Sequence, residues 1–261
     1  MKKVLTVAGS DCSGGAGIQA DLKTMTALGV YGMSVVTSLT AQNTTGVCAI
    51  YDASPEFVEQ QFDAVFSDIR PDALKIGMLS NAEIIRVVAQ KLTEYKACNI
   101  VADPVMVSTS GCRLLVSDAE RSLTDLILPS ALLITPNIPE AEILCGLKIA
   151  SKDDMLNAAE ILVRSNGTNV LLKGGHLDGK SDDLLYTAKG GVYWFEAEKI
   201  DNPNTHGTGC TLSSAIACGL AKGLELRESV QTAKEYVSGA LSARLNLGKG
   251  NGPLNHCWKM N

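Results

Sequence analysis

The run NTHGTGCTLSSAIACGLAKG, residues 204–223, sets Gly207, Thr208 and Gly209, and then the thiol of Cys210, at the start of a helical pattern. The first N–H groups of a helix have no acceptor within it. Glycines leave them unobstructed, so with the helix dipole they make an anion site. The same residues also suit a tightly packed helix start, because Leu212, Ile216, Leu220 and Leu224 mark a core-facing stripe. Three further positions carry polar groups just after apolar runs. Asp103 ends NIVA ahead of Pro104, which puts its carboxylate at a strand tip. Asn137 and Glu140, in TPNIPEAE, follow the next apolar run, and converging with Asp103 they could hold Mg²⁺ through water beside a phosphate. They equally fit a capping box, with Asn137 as N-cap and Glu140 three residues on. Lys173 closes NVLL, where a buried lysine needs an anion, and a nucleotide phosphate is one candidate. An anion site, a lysine and carboxylates for a metal are the parts that phosphoryl transfer uses.

Two phosphate motifs match in letters but not in context. GGHLDGKS, residues 174–181, fits G-x-x-x-x-G-K-S, yet a P-loop opens a helix and only SDDLLYTA separates this run from the turn at Gly190-Gly191. Gly15, Gly17 and Ala20 fit G-x-G-x-x-A ahead of a helix, as in a dinucleotide oxidoreductase. A five-residue insertion, 10–14, parts them from the preceding strand, and no acidic residue between Asp21 and Asp52 is there to hold a ribose hydroxyl.

Bringing these groups together is the task of the intervening elements. Apolar, β-rich runs alternate with helical patterns: KVLTVAG, a helix about 18–28, GMSVVTSLT, a helix about 56–68, then strand candidates at 73–78, 99–106, 131–137 and 169–175 with helices between. Strands apolar on both faces and joined by helical crossovers imply a three-layer α/β/α fold with a mostly parallel central sheet. Such sheets bind ligands beyond the carboxyl ends of their strands. DDLLYT and VYWFEAEKI flank Lys189-Gly190-Gly191 and predict a hairpin. No repeat, low-complexity tract or linker interrupts residues 1–261, so one domain is expected, and 46% apolar residues suffice for a large core. A net charge of −5 without any basic run argues against nucleic acid or a membrane surface as partner. The opening MKKVLTVAGS imitates a signal peptide, but its apolar stretch is broken at Thr6 and ends by Gly9, so a cytoplasmic location is expected. Eight cysteines with no C-x-x-C are expected as free thiols.

AGSDCSGGAGIQADLKT, TSLTAQNT, KIGML, ADPVM, TPNIPEAE, LLKGGH and THGTGCTLSSAIA, in that order and over essentially the whole chain, resemble the ribokinase superfamily. Within it they are most similar to the hydroxymethylpyrimidine/phosphomethylpyrimidine kinases of thiamine synthesis. The resemblance implies a ribokinase-like fold, ATP and Mg²⁺, a small-molecule acceptor phosphorylated to the monophosphate and then the diphosphate, and commonly a homodimer. It leaves a need for K⁺ open. It implies an anion hole at Gly207, Thr208, Gly209 and Cys210, and an N-x-x-E element at Asn137 and Glu140. ATP would meet Lys173, Asn137, Thr208 and Gly209, and the metal would meet Asp103 and Glu140 through water. The pyrimidine would lie against Gly9, Asp21, Gln42, Met78 and Val105. Gln42 offers an acceptor and a donor in one plane, matching an aminopyrimidine edge. Met78 and Val105 supply apolar faces of a ring slot, and Asp21 orients the hydroxymethyl group or simply complements the helix dipole.

Where relatives that phosphorylate sugars carry an aspartate base, Cys210 stands. A loose transition state asks more for charge neutralisation than for early deprotonation, and a phosphate monoester is already an anionic nucleophile. The helix start is expected to lower the thiol pKa toward a thiolate, while a role through the backbone N–H alone stands beside that reading. Pyridoxal kinase, which shares the fold and the cysteine, is the second functional reading. A dinucleotide oxidoreductase and a non-catalytic binder are readings from other classes.

Overall fold

Strands apolar on both faces are stable only between two covering layers, and the chain folds accordingly. The computed structural model describes residues 1–106, 117–175, 181–198 and 200–259. Strands β1 (Lys3–Asp11), β2 (Tyr31–Asn43), β3 (Gly46–Asp52), β4 (Ala73–Ile76), β5 (Ile100–Ala102), β6 (Leu133–Ile134), β7 (Asn169–Leu172), β8 (Asp183–Tyr186) and β9 (Val192–Phe195) join one sheet. Their order across it is β3-β2-β1-β4-β5-β6-β7-β8-β9. The run from β2 through β7 is parallel. Only β3 at one edge and the β8–β9 hairpin at the other are antiparallel, so the mostly parallel sheet and the turn at Gly190-Gly191 are as expected.

The helices are α1 (Gly17–Ala27), α2 (Pro55–Asp68), α3 (Ala82–Glu94), α4 (Ser117–Ser122), α5 (Ile138–Cys145), α6 (Lys152–Asn166), α7 (Thr208–Ala221) and α8 (Leu226–Ser242). Successive strand residues feed opposite cores. Leu5, Leu74, Ile100 and Ile134 pack with Phe62, Val88, Ala141 and Leu162 of α2, α3, α5 and α6. Val4, Ala73, Val101 and Leu133 pack with Met25, Ile216 and Tyr236 of α1, α7 and α8. Each such aliphatic or aromatic side chain stabilises the fold by about 1.5–3 kcal/mol.

β1 has β2 on one side and β4 on the other, so the chain leaves it in opposite directions and a crevice opens at the carboxyl ends there. The strands end earlier than their apolar runs. β5 stops at Ala102 and β6 at Ile134, because Pro104 and Pro136 cannot donate to a ladder. The polar residues beyond each end become loops over the crevice.

Asp21 lies beneath that crevice. It is fully buried and accepts from Thr6 Oγ1 at 2.6 Å, Ser214 Oγ at 2.7 Å and Lys75 Nζ at 2.9 Å. It therefore ties β1, β4 and α7 together, in place of the expected contact with a ligand. Asp21→Asn leaves the buried Lys75 ammonium without its counter-charge and is expected to cost about 3–5 kcal/mol in urea unfolding. A loss below about 1 kcal/mol would contradict the structural role.

Candidate active site

A cavity of about 640 Å³ occupies the carboxyl ends of β1 and β4 to β7. Every residue expected at the site lines it except Asp21. Its two ends differ in chemistry.

At one end α7 begins. Gly207, its N-cap, has φ +83 and no side chain caps the helix. A Cβ there would also overlap the Gly15 carbonyl oxygen, so glycine is required on both counts. Thr208 turns its hydroxyl back to Thr205 O at 2.7 Å. Among the described residues the amides of Gly209 and Cys210 have no hydrogen-bond partner. A Cβ on Gly209 would lie 3.2 Å from Asp103 Oδ2 and 3.3 Å from Lys173 Nζ, so the helix start abuts that pair. Lys173 Nζ donates to Asp103 Oδ1 at 2.9 Å, and Thr135 Oγ1 donates to the same oxygen at 2.9 Å. Burial works against the lysine's charge, but Asp103 and Glu140 together raise its pKa, and a cation is kept at the anion site.

Of the two readings of Asn137 and Glu140, the capping box is present. They form the capping box of α5, Asn137 Oδ1 accepting from Glu140 N–H and Glu140 Oε2 from Asn137 N–H, each at 2.9 Å. Both also line the cavity. Burial, reinforced by Asp103 and opposed by Lys173, pushes the Glu140 carboxyl up to about 7. Among the described residues no three His, Cys, Asp or Glu groups cluster as metal ligands. Two carboxylates beside an anion site suit Mg²⁺ carried by phosphate oxygens and water, the usual state of that ion, better than a protein cage.

Cys210 has the surroundings of a buried thiol. Burial pushes its thiol up, Asp21 and Asp103 add to the rise, and Lys75 opposes it. Desolvation outweighs the helix start, which favours the thiol form and, of the two readings left open by the sequence, the one through the backbone N–H.

Gly9, Gln42, Met78 and Val105 line the same cavity, with Met78 against Gly9, together with residues that the sequence did not single out. Asp11 accepts from the N–H groups of Ser13, Gly15 and Ala16 and from the Ser13 hydroxyl, and His206 Nε2 lies 2.8 Å from its Oδ2. Burial works to raise the Asp11 carboxyl, but these donors, His206 foremost, hold it well below the usual range. In the G-x-G-x-x-A run the amides of Gly15 and Ala16 are thus turned onto the chain's own aspartate. Lys234 of α8 and Asp183 of β8, paired at 2.7 Å, also line the cavity. β8 follows GGHLDGKS, so that run opens no helix; its residues 176–180 lie outside the described ones. Asp11 and His206 stand 195 positions apart, and only the fold brings them together.

A cavity at the switch point of a mostly parallel sheet, with an uncapped helix start against a lysine–aspartate pair, defines a small-molecule kinase of ribokinase-like fold. The comparisons narrow this. The sequence pattern of the family described as "Phosphomethylpyrimidine kinase" matches residues 11–255. The chain is 53% identical over 97% of its length to the "Thiamine biosynthesis bifunctional protein ThiED" of Geobacter sulfurreducens, of which it spans about half (52%). It is 50% identical to the "Hydroxymethylpyrimidine/phosphomethylpyrimidine kinase" of Rhizobium meliloti, covering 97% of this chain and 96% of that one. Among solved structures, an ADP complex of Bacillus subtilis pyridoxal kinase superposes with a TM-score of 0.91 at 36% identity, covering all of both chains. The chain belongs to the phosphomethylpyrimidine kinase family.

Glu140→Gln keeps the capping box and removes a buried ionisable group. A glutamate raised from 4.5 to about 7 on folding favours the folded state below pH 4.5 and loses that advantage as pH rises through 7. The melting-temperature difference, variant minus wild type, is expected to grow between about pH 5 and 8. A difference independent of pH would contradict the raised carboxyl.

Proposed function

We propose that the protein transfers the γ-phosphoryl group of ATP, with Mg²⁺, to 4-amino-5-hydroxymethyl-2-methylpyrimidine and then to the monophosphate, giving the diphosphate used in thiamine diphosphate synthesis. The observation that carries this reading is the contact of Gly209 with Asp103 and Lys173 in the same cavity as Gln42, Met78 and Val105. The amides of Gly209 and Cys210 bind the migrating phosphoryl group and Lys173 neutralises it, which is where such reactions need help. Asn137 and Thr208 lie along the ATP phosphates. Asp103 and Glu140 would hold Mg²⁺ through water, and the ion would offset the charge of the phosphates. Gln42 reads the aminopyrimidine edge, and Met78 and Val105 flank the ring over Gly9. Cys210, kept as a thiol, serves through its backbone N–H. The hydroxyl of the first acceptor loses its proton late, and the second acceptor is already anionic.

The chain acts as one kinase domain in the cytoplasm; among the described residues no helix is long and apolar enough to cross a membrane. It acts as a homodimer. The β2–β3 edge supports this, since Leu39 and Tyr51 are cross-strand partners and stand 53% and 74% exposed. Pyridoxal phosphorylation is the second reading, favoured by the superposition on the Bacillus subtilis pyridoxal kinase.

Purified protein is expected to consume ATP with both pyrimidine acceptors. Failure with both, with turnover of pyridoxal, would replace this reading by the second. Asp103→Asn and Lys173→Ala are each expected to lower kcat by about 10²-fold or more with acceptor KM little changed. Activity equal to wild type would refute their assignment to the triphosphate. Cys210→Ala is expected to leave the second transfer within about tenfold of wild type, and its abolition would restore the thiol to the chemistry.

A further inference from the structure

Behind Gln42 sits a buried pair that the phosphate chemistry does not use. His206 is 7% exposed and Asp11 3%. His206 Nε2 stands 2.8 Å from Asp11 Oδ2 and 3.2 Å from Gln42 Nε2. Asp11 already accepts from Ser13 N–H at 2.9 Å, the Ser13 hydroxyl at 2.7 Å, Gly15 N–H at 3.0 Å and Ala16 N–H at 2.9 Å. A carboxylate gathering those donors stays ionised, so the hydrogen between it and His206 belongs to the imidazole, and Nε2 is a protonated ring nitrogen.

An Nε2–H donor cannot face the Gln42 NH₂, which is also a donor. A half-turn of the amide about its last side-chain bond resolves the conflict. The amide oxygen then shares the single His206 Nε2–H with Asp11 Oδ2, as the longer arm of a three-centre bond. The NH₂ goes to Thr40 Oγ1, which stands 3.1 Å from that end of the amide. Thr40 is free to accept, because its own hydroxyl hydrogen goes to Ser10 O at 3.0 Å. Each donor now meets an acceptor, as buried polar groups require.

We infer that Asp11 and His206 are positioning residues for specificity: by placing the hydrogen on His206 Nε2 they fix which end of the Gln42 amide accepts and which donates toward the acceptor ring. This rests on the reading above, in which Gln42 meets the aminopyrimidine edge. An amide locked one way complements an exocyclic NH₂ beside an unprotonated ring nitrogen. The 4-oxo ring, with C=O beside N–H, shows the reverse order and leaves like groups opposed. A freely turning amide would serve both rings. Sites built on such hydrogen bonds reject the wrong pattern by large factors, because the mismatched groups are left buried and unpaired.

¹⁵N NMR of the ligand-free protein at neutral pH tests the lock directly. Substitution of each of the three histidines in turn assigns the signals. His206 is expected with Nε2 protonated, and a bare Nε2 would overturn the inference. The second measurement is kcat/KM for the 4-amino acceptor divided by that for its 4-oxo analogue. His206→Leu removes the donor to Gln42, and Thr40→Val removes the acceptor at the other end without touching the α7 turn. Each is expected to shrink the ratio by about tenfold or more through acceptor KM, with the KM for ATP unchanged. His206→Gln, whose NH₂ can reach both partners, is expected to restore most of it. If His206→Leu does not fold, Thr40→Val carries the test. An unchanged ratio in the folded variants, or an equal loss of kcat on both acceptors, would reduce His206 to a support of the Gly207 turn and overturn the inference. Should wild type phosphorylate neither pyrimidine, the functional reading fails, while the NMR result still decides the state of His206.

Discussion

A helix start without a cap, held inside a cavity against a lysine, is the constraint on which the remainder of this structure depends. Backbone N–H groups left unpaired away from solvent are costly, and they persist where an anion completes them. Three features keep the start of α7 open. Gly207 takes a left-handed turn that lets the chain pass Gly15, Gly209 presents no side chain toward Asp103 and Lys173, and Thr208 folds its hydroxyl back onto Thr205. The close approach of Gly207 to Gly15 also joins the phosphate end to the β1–α1 turn, which Asp11 gathers around itself.

Charge is arranged in two tiers. Beneath the floor, Lys75 and Asp21 neutralise one another with no exposure. At the floor, Lys173 pairs with Asp103 and lies in the field of Glu140, so two carboxylates and one cation stand together beside the start of α7. The raised carboxyl of Glu140 and the raised thiol of Cys210 share a cause in burial. In such low-dielectric surroundings the charges that remain interact more strongly.

Much of this was legible in the sequence where the signal is local. Runs apolar on both faces gave the parallel strands, Gly190-Gly191 gave the hairpin, and Asn137 with Glu140 gave the capping box that the structure contains. Strand lengths were overestimated, because the apolar letters of residues 99–106 and 131–137 continue past Asp103 and Thr135, whereas prolines end the ladders. β3 escaped notice, since Gly46–Asp52 is an exposed edge without strict alternation. Asp11, His206, Lys75, Lys234 and Asp183 were missed for another reason: each acquires its role from a partner distant in the chain. For Asp21 and Cys210 the sequence left two readings open, because burial, which bears on both, is a property of the folded molecule and not of spacing.

The proposed grip of the amides at the start of α7 on the migrating phosphoryl group is open to measurement. Alanine at 209 suits the α7 backbone yet sets a methyl between those amides and the Asp103–Lys173 pair. Calorimetric affinity for Mg·ADP, alone and with tetrafluoroaluminate as a mimic of the migrating group, measures the grip directly. Wild type should gain strongly from the fluoride complex, and Gly209→Ala should lose most of that gain while binding Mg·ADP about as before. An equal gain in both proteins would contradict the account.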